Sequence, residues 1–338
     1  MAGGPHVPDT DGKEDAAIKV TATGSLPPTD GAAVLQLVSE AARADGVSPL
    51  SEHVVLHLKY ASDPQGRDVL LWYEGRLAGY GHLDPTDRVE GPAAEMVIRP
   101  ALRRRGLGRA LGSALVNEAG GEDLRLWAHG DLPTAARLAA AVGFHRSRAL
   151  WQLRRSLSAE LAEPQLPPGI SVRTFRVGLD EDAWLAVNSH AFARHPEQGA
   201  WTRADLELRE REPWFDPAGF FLAERDDALA GFHWTKVHGS AHRDPDAAGG
   251  GPQPASDRDA IGEVYVVGVD PAEQGTGLGR ALTLIGMRYL RSLGLAEVML
   301  YVDESNTAAI RLYASLGFVH SGTDVMFSRG GTEPAPAS

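Results

Sequence analysis

The fold is decided by residues 263–280, EVYVVGVDPAEQGTGLGR, where a β-branched run leads into a glycine-rich turn and then a helix. The pattern predicts a strand over 263–269 that ends at Asp270-Pro271, and a helix over 277–293. Backbone N–H groups at the start of such a helix are unpaired, the helix dipole favours an anion there, and glycines let a phosphate approach closely. The stretch therefore predicts a cradle for a pyrophosphate group.

The same turn occurs once more in the first half of the chain. RGLGRAL at 105–111 matches TGLGRAL at 276–282 at an offset of 171 positions, and Gly-Phe at 143–144 recurs at 317–318, an offset of 174. A single Gly-x-Gly could equally be an ordinary strand-to-helix turn. Two features that recur in order at nearly one offset indicate an internal duplication and favour the cradle.

Each half reads as α+β with a mixed central sheet flanked by helices. We expect domains at 16–157 and 170–329, a linker at 158–169, a flexible loop at 239–260, and disordered ends at 1–15 and 330–338. In the second half the pattern predicts strands at 170–175, 220–224, 229–238, 263–269, 297–302 and 318–327, and helices at 180–192, 202–211, 277–293 and 307–316. In the first half it predicts strands at 68–73, 76–82, 94–98, 124–128 and 144–153, and helices at 106–119 and 134–142.

Composition excludes several classes of function. The chain has 33 Lys and Arg against 45 Asp and Glu, a net charge of −12, which argues against nucleic acid or an anionic membrane as partner. It has no Cys, so disulfides, Cys-ligated zinc, Fe–S clusters and thiol nucleophiles are excluded. Residues 1–17 lack the features of a signal peptide, and no apolar run approaches the roughly 18 residues that span a bilayer. We expect a cytoplasmic, monomeric protein that binds small molecules and no metal.

The two turns resemble the acetyl-CoA motif of the GNAT superfamily of N-acetyltransferases, Gln/Arg-x-x-Gly-x-Gly/Ala. RRRGLG at 103–108 and QGTGLG at 274–279 match it, and both are followed by the expected strand, helix and Gly-Phe. Neither turn has the spacing of a dinucleotide fingerprint or a P-loop. The resemblance implies two tandem GNAT domains with acetyl-CoA as co-substrate, and it allows one acetyl-CoA per domain.

Five stretches are similar to the mycothiol synthase family. They are WAHG at 127–130, HPEQGAW at 195–201, WFDP at 214–217, GFHWTKVH at 231–238 and GEVYVVGVDP at 262–271. The resemblance implies a tandem GNAT enzyme that acetylates the cysteinyl amine of Cys-GlcN-inositol, a small thiol glycoside, and releases CoA. Two alternatives stay open: another amine acceptor, such as an aminoglycoside or a peptide N-terminus, and a non-catalytic acyl-CoA sensor.

Two residues of the second half are the catalytic candidates. Acetyl transfer to an amine needs a base and a proton donor for the departing thiolate, with no covalent enzyme intermediate. Glu263 begins the strand that leads into the cradle and is the predicted base, directly or through water, although a strand-end carboxylate is often only solvated. Tyr313, four residues before Gly-Phe, is the proton donor that the resemblance implies, although a helical Tyr is more often core. At the repeat offsets the first half has Pro92 and Ala139, which predicts a non-catalytic first domain.

The resemblance also implies an acceptor site formed by Glu52, Glu197, Lys236, Glu263 and Tyr301. Lys236 is the only lysine after Lys59, which hints at a need for a compact charge, with chance as the alternative. Glu52 could instead be an ordinary helix start, Glu197 an exposed loop acid, and Tyr301 a core residue.

The predicted cofactor residues follow the two motifs. In the second half they are Val267, Gly268, Val269, Gln274, Gly275, Thr276, Gly277, Leu278, Gly279, Arg280, Asn306, Thr307, Ala308, Ala309, Ile310 and Arg311. In the first half they are Met96, Val97, Ile98, Arg104, Arg105, Gly106, Leu107, Gly108 and Arg109.

Three other signals receive a structural or cofactor interpretation. The run of Arg103, Arg104 and Arg105 suggests cofactor phosphates more than nucleic acid, because the chain is acidic. His238 and His242 lack the spacing of metal ligands. Glu95 aligns with Val266 and is expected to be structural.

Overall fold

The computed structural model describes residues 18–60, 65–86, 91–120, 123–193, 196–239 and 260–330, without the side chains of Pro196 and Glu197. Most of the predicted flexible segments, at 1–15, 239–260 and 330–338, lie outside the described residues, as does His242. The chain divides into two compact units, Met1–Arg146 with Phe327–Ser338, and Ser147–Met326.

The first unit is a mixed five-stranded sheet with helices. Its elements are β1 (Ile18–Thr23), α1 (Pro28–Asp45), α2 (Glu52–Tyr60), β2 (Arg67–Tyr73), β3 (Arg76–Asp84), β4 (Ala93–Ile98), α3 (Leu107–Glu118), β5 (Arg125–Ala128) and α4 (Pro133–Ala141). The strands lie in the order β1-β2-β3-β4-β5, antiparallel except for the parallel pair β4–β5. Helix α3 packs so closely on β3 that a Cβ at Gly81 would lie 2.9 Å from Leu115 Cδ1.

The second unit repeats this plan with a larger sheet. Its elements are β6 (His145–Ser156), β7 (Ser171–Thr174), α5 (Glu181–Ala191), α6 (Pro196–Gly199), α7 (Arg203–Glu210), β8 (Phe220–Arg225), β9 (Ala228–His238), β10 (Ile261–Val269), α8 (Leu278–Ser292), β11 (Glu297–Asp303), α9 (Thr307–Ser315) and β12 (Val319–Ser328). Here the order is β12-β6-β11-β10-β9-β8-β7, and β10–β11 is the parallel pair. The α+β class and the mixed sheets are confirmed.

The core of the second unit lies on both faces of its sheet. On one face α8 buries Leu284, Met287 and Leu290 against β10 and β11. On the other face an aromatic cluster contains Trp184, Phe220, Phe232 and Trp234, all fully buried. Strands β9 and β10 lie between these two layers, and they carry Lys236, His238 and Glu263 of the candidate site.

Strand β6 pairs with the second unit. It runs antiparallel to β11 from Leu150 opposite Asp303 to Ser156 opposite Glu297. The sequence analysis assigns these residues to the first domain, up to 157, whereas the contacts place Ser147 onward in the second unit. A strand's composition does not tell which sheet supplies its hydrogen bonds, so this pairing was not predictable locally.

A buried polar network connects α2 to the sheet of the first unit. The Asp68 carboxylate accepts a hydrogen bond from the Tyr80 hydroxyl at 2.6 Å, and it lies 3.1 Å from His57 Nε2 and 3.2 Å from His82 Nδ1. These hydrogen bonds hold the pKa of Asp68 well below its usual range, against the opposing effect of burial. The sequence analysis predicted neither this network nor β1 and α1.

No helix in the described part of the chain combines the length and the apolarity needed to cross a bilayer.

Candidate active site

The glycine turn of the second unit starts α8 with its backbone in the left-handed region. Gly277 is the N-cap residue at φ 92°, and Gly275 has φ 79°. A Cβ at either position would meet nothing within 4 Å, so the backbone conformation, and not space, favours glycine. The first N–H groups of an α-helix have no partner inside the helix. The turn therefore has the geometry of an anion cradle.

The other predicted cofactor residues of the second unit lie at the end of β10, in the first turn of α8 and at the start of α9. Asn306 is the N-cap of α9, where its side chain accepts a hydrogen bond from Ala309 N at 3.1 Å. Arg280 Nη1 donates to Ser315 Oγ at 2.7 Å and so connects α8 to α9. Strands β10 and β11 are paired only at Gly262 and Glu263. The part of β10 nearest the turn therefore makes no backbone hydrogen bonds with β11. A pantetheine-like chain could use the backbone groups exposed there.

The first unit has a second cradle and a cleft beside it. Gly106 is the N-cap of α3 at φ 81°, and Arg104, at the position of Gly275, has φ 67°. The cleft has a volume of about 570 Å³, and seven of the predicted cofactor residues line it, namely Met96, Val97, Ile98, Arg104, Gly106, Gly108 and Arg109. The other two do not line it, because Leu107 is buried in the core and Arg105 lies over the Tyr73 ring.

Arg103, the first residue of the arginine run, has a protein partner. Its Nη1 and Nη2 atoms each donate to the Asp45 carboxylate at 2.7 Å. This bidentate pair raises the pKa of Arg103. The side chain is thus held by α1, and it also lines the cleft, so a contact with a cofactor phosphate stays a prediction.

Glu263 is buried in the sheet of the second unit, with 6% of its surface exposed. Its register partner on β9 is Lys236, and its partner on β11 is Met299. Its Oε2 atom lies 2.6 Å from His238 Nε2. A carboxylate on a sheet face beside two basic side chains can accept a proton from an incoming amine.

The ladder between β9 and β10 contains a bulge, with the register shift between Val264 and Val266. The ladder between β3 and β4 of the first unit is regular. Counted by strand register from the shared turn, the counterpart of Glu263 is Ala93, and the plain sequence offset to Pro92 was wrong by this one residue. Neither residue has a carboxylate, so the contrast between the two halves holds.

Tyr313 lies on α9 and packs against the core of the second unit. Its ring meets Phe318 edge-on, with centroids 5.7 Å apart. Burial raises the pKa of Tyr313 to about 12. Among the described residues no side chain or backbone group hydrogen-bonds its hydroxyl, so the proton is available to a ligand. The first-unit counterpart by offset, Ala139, is a buried core residue.

Tyr301 and Lys236 share the sheet face of Glu263. Tyr301 lies two residues after Met299, the partner of Glu263, and side chains two apart on a strand point to one face. Its hydroxyl accepts a hydrogen bond from Gln152 Nε2 at 2.9 Å. Burial raises the pKa of Tyr301, and the negative charges of Asp324 and Glu263 contribute to the increase.

Lys236 is held among aromatic rings. Its ammonium lies 4.3 Å from the centre of the Trp214 ring and 5.0 Å from that of Tyr265. A cation over aromatic faces is stabilised by the ring quadrupoles and loses side-chain freedom. The WFDP and EVYV stretches thus supply the surroundings of this lysine, a role that the sequence did not reveal.

The other two predicted acceptor residues belong to helices. Glu52 is the first residue of α2 in the first unit. Glu197 belongs to the short helix α6, and its side chain lies outside the described residues. Glu95 is buried, accepts a hydrogen bond from Ser51 N at 2.6 Å beside the start of α2, and lies 3.4 Å from His129 Nε2.

Comparisons with known proteins agree with this geometry. The model of the acetyltransferase (GNAT) family matches residues 33–146 and 184–318. The chain is 56% identical over 322 residues to the mycothiol acetyltransferase of Acidothermus cellulolyticus, covering 94% of this chain and 96% of the relative. It is 57% identical to that of Thermobispora bispora, covering 89% and 97%.

Solved structures share the fold. A tandem GNAT protein from the clavulanic acid biosynthesis pathway is 22% identical with a TM-score of 0.67, covering 94% of this chain and all of the other. A GCN5-related N-acetyltransferase from Sphaerobacter thermophilus is 24% identical with a TM-score of 0.61, covering 93% and 97%. Two cradles, two family matches and full-length relatives show that the chain belongs to the GNAT acetyltransferases and, among them, to the mycothiol acetyltransferase family.

Proposed function

We propose that the chain transfers the acetyl group of acetyl-CoA to the cysteinyl amine of Cys-GlcN-inositol, giving mycothiol and CoA. The proposal rests on one observation: Glu263, Lys236 and Tyr301 lie on the same face of the second unit's sheet. Glu263 is on β10, the strand that leads into the cradle. The names of the relatives support the choice of acceptor.

The reaction assigns one proton transfer to each catalytic candidate. Glu263 takes a proton from the acceptor ammonium, directly or through water, and the free amine attacks the thioester carbon. The C–N bond forms, the C–S bond breaks, and the hydroxyl of Tyr313 protonates the thiolate. Tyr313 regains its proton from the nitrogen, and the proton held by Glu263 leaves to solvent. Because burial raises its pKa to about 12, Tyr313 carries its proton at neutral pH.

Binding is shared among polar groups of several elements. The N-terminal turn of α8 would hold the pyrophosphate, and Lys236 and Tyr301 would hold hydroxyl groups of the pseudodisaccharide. Glu52 and Glu197 remain part of the proposed acceptor site through the resemblance. The first unit would bind a second acetyl-CoA in its cleft without turnover, because it lacks counterparts of Glu263 and Tyr313.

We further propose that the enzyme acts as a cytoplasmic monomer on small molecules, without metal or nucleic acid. The acidic composition and the small size of both acetyl-CoA and the glycoside support this reading. The domain boundaries at 157 and 170 also stay a proposal. They follow from the internal duplication of the sequence, whereas β6 pairs with the second unit.

The test is a steady-state assay of CoA release with four acceptors: Cys-GlcN-inositol, GlcN-inositol, free cysteine and an aminoglycoside. Mass spectrometry locates the acetyl group. We expect kcat/KM to be highest for Cys-GlcN-inositol, with the acetyl group on the cysteinyl nitrogen. Faster turnover of the aminoglycoside would reassign the acceptor, and acetyl-CoA binding without turnover of any amine would favour a sensor.

A further inference from the structure

His238 hydrogen-bonds the proposed base, and nothing in the acetyl-transfer scheme yet uses it. It is the last residue of β9, and its side chain is 35% exposed, against 8% for the side chain of Glu263. The two side chains meet at 2.6 Å between His238 Nε2 and Glu263 Oε2. The contact is diagonal across the ladder, because the register partner of His238 is Ile261.

The contact involves only one of the two carboxylate oxygens. Among the described residues, no group hydrogen-bonds Oε1 of Glu263. Lys236, the direct cross-strand neighbour, has its ammonium over the rings of Trp214 and Tyr265. Glu263 is thus held from the His238 side through Oε2, and Oε1 is left for a ligand.

A buried carboxylate that lacks a donor is costly and free to rotate among its rotamers. A charge-assisted hydrogen bond lowers that cost and selects one orientation. On the two strands that pair with β10, the described charged or titratable side chains beside Glu263 are His238 and Lys236 of β9 and Tyr301 of β11. Of these, His238 is the one whose ring nitrogen is at hydrogen-bond distance from the carboxylate.

We propose that His238 is a positioning residue: its Nε2–H donates to Oε2 of Glu263 and holds Oε1 towards the acceptor amine. This inference rests on the proposed function, in which Glu263 is the base. It requires no proton transfer to His238, because the proton taken up at Oε1 leaves to solvent after each turnover. The role therefore depends on a donor N–H at this position and not on an imidazole as such.

Two substitutions distinguish the loss of a hydrogen-bond donor from a change in side-chain size. His238→Leu removes the N–H, and His238→Gln keeps one on a side chain of similar reach. We expect His238→Leu to lower kcat on the order of 100-fold, since misplacing a reacting group by about 1 Å can cost that much. The KM for acetyl-CoA should not change, and His238→Gln should recover most of the lost kcat. Equal losses in both variants would overturn the proposal.

A double-mutant cycle shows whether His238 acts through Glu263. In a Glu263→Gln background the base is already absent, so adding His238→Leu should change the residual kcat by less than about twofold. The same fold loss in both backgrounds would mean that His238 contributes independently, and the proposal would fail.

The matched control is His320→Leu. The His320 ring is tilted against the Trp151 ring, with centroids 5.0 Å apart, whereas Gln152, the next residue of β6, hydrogen-bonds Tyr301. His320 therefore lies on the opposite face of the sheet. Its substitution should leave kcat unchanged. The wild-type protein is assayed first, and if it does not turn over Cys-GlcN-inositol, the proposed function fails. If the wild type is active and the His238→Leu variant is equally active, only this inference fails.

Discussion

At the scale of single residues, the surroundings of Tyr313 suit its proposed role as proton donor. The ring projects from α9 and packs against the core of the second unit, with Phe318 edge-on to it. The hydroxyl has no protein partner among the described residues, and burial raises its pKa to about 12. A phenol in this state keeps its proton at neutral and mildly alkaline pH and can donate it to a thiolate.

Tyr313→Phe should therefore lower kcat on the order of 100-fold or more, because loss of a general acid typically costs that much. The KM for acetyl-CoA should change little, since the ring remains. With the pKa at about 12, the contribution of Tyr313 to kcat should persist through mildly alkaline pH and disappear only as the pH approaches 12. Steady-state kinetics of both proteins across pH 6 to about 10 check this.

The control is Tyr289→Phe on α8, which removes a hydroxyl bonded to Asp216 in the same unit. It should affect thermal stability and leave kcat unchanged. Full activity in Tyr313→Phe would reject Tyr313 as the acid.

At the scale of elements, the two helix starts are a matched pair. Gly106 and Gly277 are N-caps of α3 and α8 with φ 81° and φ 92°, and an added Cβ would clash with nothing at either position. Any effect of alanine there therefore comes from backbone conformation. The left-handed conformation costs an L-residue roughly 1–2 kcal/mol.

Gly277→Ala should raise the KM for acetyl-CoA about tenfold. The substituted turn is strained in the conformation that binds the pyrophosphate, and a cost of about 1.4 kcal/mol on binding lowers the affinity tenfold. Gly106→Ala should leave that KM and kcat unchanged, because turnover is assigned to the second unit. Kinetics of the two variants side by side provide the measurement. A higher KM in Gly106→Ala, with Gly277→Ala unaffected, would assign catalysis to the first unit.

At the scale of the whole molecule, the duplication predicts two cofactor sites with one active centre. Isothermal calorimetry with acetyl-CoA should give two equivalents bound per wild-type chain. Gly106→Ala should weaken one of these and Gly277→Ala the other, by about tenfold each. A wild-type stoichiometry of one, abolished only by Gly277→Ala, would mean that the cleft of the first unit is not an acetyl-CoA site.

The stability of the molecule should also depend on pH through a buried histidine. His233 is fully buried under α8, where its Nδ1–H donates to the Leu282 carbonyl at 2.7 Å. Burial lowers the pKa of His233 from 6.5 to about 4. Between pH 6.5 and about 4 the unfolded chain therefore binds more protons at this residue than the folded chain does. The contribution of His233 to the free energy of unfolding is fully present above about pH 6.5, and it falls by about 1.4 kcal/mol per pH unit towards pH 4.

Urea unfolding followed by tryptophan fluorescence at pH 7, about 5.5 and about 4.5 measures this slope. His233→Gln lacks the titrating group and should show a flatter dependence across the same range. An unchanged slope in that variant would place the acid sensitivity in another group. Asp68 is not a candidate in this range, because its pKa is lowered and its contribution is lost only below about pH 4.

The sequence by itself determined the duplication, the α+β class, most helices and strands, and both cradles. These features depend on residues that are close in sequence. The local signals are glycines at left-handed positions, β-branched runs before a proline, and helical spacing that ends at a glycine. Glu263 and Tyr313 are the catalytic candidates of the sequence, chosen through motif resemblance and comparison of the two halves, and their roles stay a prediction.

Other features were decided only by the tertiary structure. The bulge near Val264 moves the counterpart of Glu263 by one residue, β6 joins the sheet of the second unit, and Arg103 pairs with Asp45. The contact of His238 with Glu263 belongs to the same class. Strand register and pairing between distant segments depend on how whole elements pack, and no local pattern of residues contains that information.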